Sequence, residues 1–134
     1  MTGNKTLTAQ FTINNYTLTY NVTPSTGGTV SGSGVQVLAY NTTGSAVTAV
    51  ANTGYTFSGW SDGSTNATRS DYITGNKTLT AQFTINNYTL TYNVTPSTGG
   101  TISGSGVQVL AYNTTGSSVT AVANTGYTFS GWSD

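Results

Sequence analysis

The chain has no cysteine, no histidine and no glutamate, and only two of its 134 residues are proline. Without cysteine there are neither disulfides nor thiolate metal sites. Without histidine and glutamate the commonest general bases are missing, and no thiol nucleophile is available. Charge is scarce: Lys5, Arg69 and Lys77 stand against Asp62, Asp71 and Asp134, and the net charge is zero. That removes the basic footprint of a nucleic-acid binder and the acidic tail of a charged partner. No apolar run approaches the length that crosses a bilayer, and any targeting segment of an exported form is expected outside these residues. The strong helix formers Glu, Lys, Arg and Met are nearly missing, whereas Thr, Val, Tyr and Phe favour strands. The composition is that of an all-β protein.

What is present is a repeat. Residues 2–62 return as residues 74–134 at a spacing of 72, and only Val30, which becomes Ile102, and Ala46, which becomes Ser118, differ. A repeat sets the unit of folding and has to be found before a fold is argued. The "INNYT" stretch at Asn14–Asn15 is either a hairpin turn or a junction, and a junction there makes residues 16–87 one complete unit. Residues 1–15 are then the terminal strand of a preceding repeat, and residues 88–134 an incomplete following one. The second copy stops in mid-phrase at "SGWSD", as expected of a window on a longer tandem array.

Within a unit, Tyr16, Leu18, Tyr20 and Val22 alternate with polar residues, the period of two of a half-buried strand. "TVSGSG" reads as a weak, glycine-punctured strand or turn, and further strands are expected at residues 35–41, at residues 45–52 with Val47 and either Ala49 or Val50 inward, and at "GYTFSGWSD". The last is residues 78–85, where Leu79, Ala81, Phe83 and Ile85 share a face. Five or six strands per unit are expected, in small antiparallel β-sheet modules strung in a linear array. A unit of this size without disulfides sits near the lower limit of independent stability, so contact with neighbours helps.

Three motifs, Gly27–Gly28–Thr29, "GYTFSGW" from Gly54 to Trp60 and "NKTLTAQF" from Asn76 to Phe83, carry a resemblance to the divergent internalin-B-type repeat of bacterial cell-surface proteins. Together they span nearly the whole unit. The resemblance implies a small β-grasp-like sheet (a small sandwich being the other option), an extracellular or cell-surface location, and a structural or adhesive role rather than an activity. The chain departs from many members in its paucity of acidic residues and its wealth of Asn-x-Thr.

Candidate chemistry is thin. Asp62 and Asp71 share one loop, which does not supply the two carboxyls held across a cleft that a glycosidase needs. Lys5 and Lys77 invite the thought of an isopeptide crosslink, but a solvated lysine is the plainer expectation for the "GNK" turn. "DGSTNAT" spaces oxygen ligands as a calcium loop does, yet lacks that loop's glycine and terminal glutamate, so no metal and no cofactor is expected. Tyr55, Trp60, Tyr127 and Trp132 are candidates for stacking on a ligand, although large aromatics such as Phe57 and Trp60 more often form the core. The strongest signal is glycosylation. Asn4, Asn15, Asn21, Asn41, Asn66, Asn76, Asn87, Asn93 and Asn113 each open an Asn-x-Thr sequon, and five of the seven Asn in residues 1–72 do so. Glycans there would hydrate a surface with so little charge.

Two functional classes follow. One is a structural stalk or extracellular filament; the other is an adhesin whose repeats bind carbohydrate or a cell surface weakly and gain strength by avidity. The expected partners are neighbouring copies of the same repeat, in one chain or by self-assembly, with glycans or cell surfaces as further ligands. Residues 7–13 also offer a strand without a partner, so separate chains have a route to closure by strand donation.

Overall fold

The computed structural model describes residues 1–133, and every element in it is a strand or a turn. The chain divides into two units. Residues 1–52 and 56–84 make the first, and residues 53–55 with the residues from Ile85 onward make the second.

The first unit contains β1 (Asn15–Thr23), β2 (Gly28–Ser31), β3 (Val35–Ala39), β4 (Thr42–Thr43), β5 (Val47–Ala51), β6 (Tyr55–Trp60), β7 (Thr68–Arg69), β8 (Tyr72–Ile73) and β9 (Lys77–Ile85). Six of these exceed two residues, at the upper end of the sequence expectation. Its main sheet has the order β3-β1-β9-β6. β1 and β3 pair antiparallel from Asn15↔Ala39 to Thr19↔Val35. β1 and β9, the first and last strands of the repeat, pair parallel from Leu18↔Lys77 to Thr23↔Gln82. A second sheet, β2-β5-β7, is antiparallel throughout, and the short β4-β8 pair closes one end.

The core follows from the alternation. Leu18 and Tyr20 of β1, Val47 and Ala49 of β5, Trp60 of β6, Ile73 of β8, and Leu79, Ala81 and Phe83 of β9 are buried. Of the two options for the inward partner of Val47, Ala49 is chosen and Val50 is exposed. Fully burying a Leu or Phe side chain contributes about 1.5–3 kcal/mol. The burial of Leu79 and Phe83 on β9 is thus a substantial favourable term, set against the conformational entropy lost in ordering the chain. Gln36 lies among the apolar inward residues. Its amide nitrogen donates to the carbonyls of Ser33 and Ser45, and its Oε1 accepts the Ser45 N–H. Gln108 repeats this arrangement in the second unit.

The Gly27–Gly28 pair is the seat of Phe83. A Cβ on Gly27 would stand 2.7 Å from the Phe83 Cβ, and one on Gly28 would meet the Phe83 ring at 2.5 Å. In the second copy a Cβ on Gly99 meets nothing closer than the Pro96 carbonyl at 3.1 Å. Gly27→Ala is therefore expected to destabilise the first unit by about 2 kcal/mol through overpacking. Gly99→Ala is expected to cost less than about 0.5 kcal/mol. Urea titrations of the two variants check the difference.

The second unit contains β10 (Asn87–Thr91), β11 (Gly100–Ser103), β12 (Val107–Ala111) and β13 (Thr120–Ala123). They form two antiparallel pairs, β10-β12 and β11-β13. Residues 1–14 form no strand here. The decapeptide "NKTLTAQFTI" of residues 4–13 is identical to residues 76–85, which include β9. The difference lies in partners, because a strand exists only where a neighbour accepts its backbone hydrogen bonds.

Candidate functional site

All four charged residues between Asp62 and Lys77 converge at the point where β9 begins on β1. Arg69, on β7, directs its Nε and Nη2 to the two oxygens of Asp71, both at 2.7 Å. The same guanidinium reaches Asp62 at 3.0 and 2.7 Å. Lys77 Nζ donates to Asp71 Oδ1 at 2.9 Å, and the Tyr20 hydroxyl donates to Asp71 Oδ2 at 2.8 Å. Forked guanidinium–carboxylate pairs of this kind are among the stronger hydrogen bonds in proteins. Arg69 also lies over the Trp60 ring, with Cζ 5.1 Å from its centroid.

The electrostatics follow from these contacts. Burial pushes the Asp71 carboxyl up, but hydrogen bonds from Arg69, Lys77 and Tyr20 outweigh it and hold the group well below the usual carboxylate range. Hydrogen bonds from Arg69 hold Asp62 down to about 2. Burial, and then the bond to Asp71, push the Tyr20 phenol above its ordinary value. Both carboxylates are thus ionised around one guanidinium, which leaves neither poised as a general acid. Lys77 faces an ionised Asp71, an ion pair rather than the neutral pair from which an amide crosslink forms. The solvated lysine expected at residue 77 is a correction, since Lys77 is held by Asp71. Asp62, the first oxygen of the calcium-like spacing, spends its carboxylate on Arg69 and on the Ser64 N–H at 3.2 Å. What the cluster does is fix register. With Asn76 Oδ1 accepting the Thr17 N–H at 2.9 Å, it pins the start of β9 to β1.

The stacking candidates separate. Trp60 is buried, its ring packed edge-on against Tyr20 and Phe57 at 5.6 and 5.8 Å. Its indole N–H donates to the Asn66 carbonyl at 2.9 Å. Trp60 offers no face to a ligand, which corrects that candidate. Tyr55 is half-buried. Tyr127 and Trp132 are exposed, and Trp132 packs on Tyr92 and Phe129 in the geometry of its counterpart. The sequon asparagines Asn4, Asn15, Asn21, Asn41, Asn66, Asn76, Asn87, Asn93 and Asn113 are all exposed. Asn41 and Asn113 have positive φ, at 69° and 60°, as asparagine in a tight turn tolerates.

Sequence reasoning left Gln36 and the four-residue charge cluster unassigned. Gln36 had no signal, since the alternation of "VQVLA" turns Val35 and Val37 inward, whereas those two are exposed and Gln36 is buried. The cluster had little, because Asp62 and Lys77 meet Arg69 and Asp71 only through the fold.

Small β modules in tandem, the complete one closed by its last strand on its first, define an all-β tandem repeat protein. The chain belongs to the divergent InlB B-repeat domain family, which matches residues 16–87 and 88–134. It is similar to Internalin H of Listeria monocytogenes serovar 1/2a (strain ATCC BAA-679 / EGD-e), at 38% identity over 92 residues. That match takes in 65% of this chain and 16% of the relative, so the chain spans a small part of that protein's length. No solved structure matches the chain.

Proposed function

We propose that the chain is a segment of a bacterial surface protein in which tandem repeats form a tension-bearing stalk or fibre. The observation that carries this reading is the parallel pairing of β1 with β9. Force enters a repeat at the start of β1 and leaves at the end of β9. In a parallel pair those ends lie at opposite extremes, so the hydrogen bonds from Leu18↔Lys77 to Thr23↔Gln82 are loaded together in shear. One residue, Asn86, separates β9 from β10, so tension passes from one repeat into the next with almost no slack. The near-identity of the two copies supports the same reading, because repeats with separate recognition tasks are free to diverge in their loops. N-linked glycans on the exposed sequons hydrate the surface of this low-charge stalk.

Single-molecule extension tests the proposal. Pulled through residues 15 and 85, the first unit is expected to rupture in one event, releasing roughly 250 Å of chain at full extension. Pulled through residues 15 and 77, the adjacent ends of the two strands, it is expected to peel apart at a several-fold lower force. Equal forces in the two geometries would overturn the reading. The glycan component has its own check: the intact mass of the native protein is expected to fall on chemical deglycosylation, and an unchanged mass contradicts it.

The adhesin reading draws support from a different observation. Tyr16 and Tyr40 form a tilted ring pair with centroids 6.3 Å apart, and Tyr88 and Tyr112 repeat it at 6.4 Å. Tyr40, Tyr88 and Tyr112 are exposed. Binding of soluble oligosaccharides that is lost in Tyr40→Ala and Tyr112→Ala together would favour it.

A further inference from the structure

The nine sequon asparagines are exposed, but they do not sit alike. Asn15 and Asn21 lie within β1, opposite Ala39 of β3 and Thr80 of β9. Asn87 lies within β10, opposite Ala111. Asn76 spends its side-chain oxygen on the Thr17 N–H. Asn41 and Asn113 stand instead in a tight turn, which in the first unit joins β3 to β4. Their positive φ turns the chain out of the strand path, a conformation that asparagine accepts more readily than most residues. The Thr42 hydroxyl donates to the Ala39 carbonyl at 2.7 Å, and the Thr114 hydroxyl to the Ala111 carbonyl at 2.7 Å. The middle residue of each sequon thus fixes the turn. Among the described residues, no hydrogen bond engages the side chains of Asn41, Asn113, Thr43 or Thr115, and all four are exposed.

Each of these two turns also carries aromatic rings. Tyr40 precedes Asn41 and its ring pairs with Tyr16, while Tyr112 precedes Asn113 and pairs with Tyr88. Tyr40 is 47% accessible, and Tyr112 is still 38% accessible although it packs against Gly54. The two copies have different neighbours along the chain and yet agree, so the arrangement belongs to the repeat itself. A pyranose presents polarised C–H bonds on one face, and the face of an aromatic ring is negative, so the two attract. We propose that Asn41 and Asn113 are the glycosylated sequons of the repeat, and that the first sugar of each rests on the adjoining tyrosine pair. A transferase acting on this chain joins the asparagine Nδ2 to the anomeric carbon of a sugar carried on a diphosphate. The bond from that carbon to the phosphate oxygen breaks, and the diphosphate leaves with the electron pair. One amide proton passes to a base of the transferase, and nothing is oxidised or reduced. This deepens the glycan component of the proposed function and rests on it. A glycan so placed occupies the tyrosines from within the molecule and closes them to the soluble oligosaccharides of the adhesin reading.

Glycopeptide mass spectrometry of the native protein, with fragmentation that keeps each sugar on its residue, tests the assignment. Peptides carrying Asn41 and Asn113 are told apart because Ala46 in one stands where Ser118 stands in the other. Sugar is expected at both, with Asn15, Asn21 and Asn76 bare. Sugar spread evenly over the sequons, or found elsewhere with these two bare, overturns the assignment and leaves the glycan component standing. Bare asparagines throughout overturn both. The aromatic contact has a separate readout in NMR spectra of the glycosylated protein. Ring protons of the first sugar are expected to be shifted upfield by the tyrosine rings. Tyr40→Ala, at an exposed turn residue, is expected to lose that shift at Asn41 and keep it at Asn113. Unshifted sugar protons in the unsubstituted protein, or a shift at Asn41 that survives Tyr40→Ala undiminished, overturn the contact.

Discussion

Trp60→Ala is expected to destabilise the first unit by about 4 kcal/mol, and Trp132→Ala to cost the second less than about 1 kcal/mol. The two residues occupy the same position in near-identical sequences, so propensity, composition and local motif cancel between them. What differs is the closing strand. Trp60 is 1% accessible, packed against Tyr20 and Phe57 and covered by Arg69. Its truncation opens a large cavity, removes the donor that satisfies the Asn66 carbonyl, and strips Arg69 of the ring beneath it. Trp132 keeps two aromatic neighbours but is nearly half exposed, so it has little burial to lose. Urea unfolding followed by amide NMR, which resolves the two units, measures both variants in the same chain at a concentration low enough to keep it monomeric.

The second large effect is on the acid limb of stability. Asp71 is held below its ordinary range by Arg69, Lys77 and Tyr20. A carboxyl with a lowered folded pKa contributes stability that is present in full above its unfolded value, near 3.9, and is lost as pH falls towards the folded one. The first unit is therefore expected to hold its stability from neutral pH down to about 5 and to lose it steeply below about 4. Tyr20 acts with the opposite sign. Its raised folded value gives stability that is whole below about 10 and declines as pH rises past that point. Asp71→Asn is expected to cost about 3 kcal/mol at neutral pH, because it leaves Arg69 largely buried against a neutral amide. The variant is also expected to show a much shallower acid limb. The Asp62 arm of the cluster is more exposed and contributes little by itself. Thermal melts across the pH range compare the two proteins, and identical acid limbs would remove Asp71 from this role.

Periodicity made the faces of the strands legible but not their partners. The alternation through Tyr16–Val22 and Leu79–Ile85 places Leu18, Tyr20, Leu79, Ala81 and Phe83 inward, as observed, while Ile85 at the end of β9 is exposed. Nothing in a period of two says that the first and last strands lie side by side and run parallel, since that pairing is decided by the connections between them. The two-residue strands β4, β7 and β8 are too short for a pattern, and β7 and β8 lie in the loop that carries Arg69 and Asp71. The functional reading of the sequence stopped at that loop for the same reason, because its charges acquire meaning only once β9 brings Lys77 to them. Residues 4–13 show the limit most plainly: a strand sequence by every local criterion forms no strand where its backbone has no partner.

The central claim is that the last strand of the repeat, seated on the first, makes the core. Backbone amide exchange on the dilute chain tests it most directly, comparing the fragment from Met1 to Phe11 with the fragment from Ile73 to Phe83. These differ at their first residue only and so are distinguishable by mass. Strong protection from Lys77 to Phe83, with none from Lys5 to Phe11, is the predicted result. Equal exchange in the two fragments would contradict it.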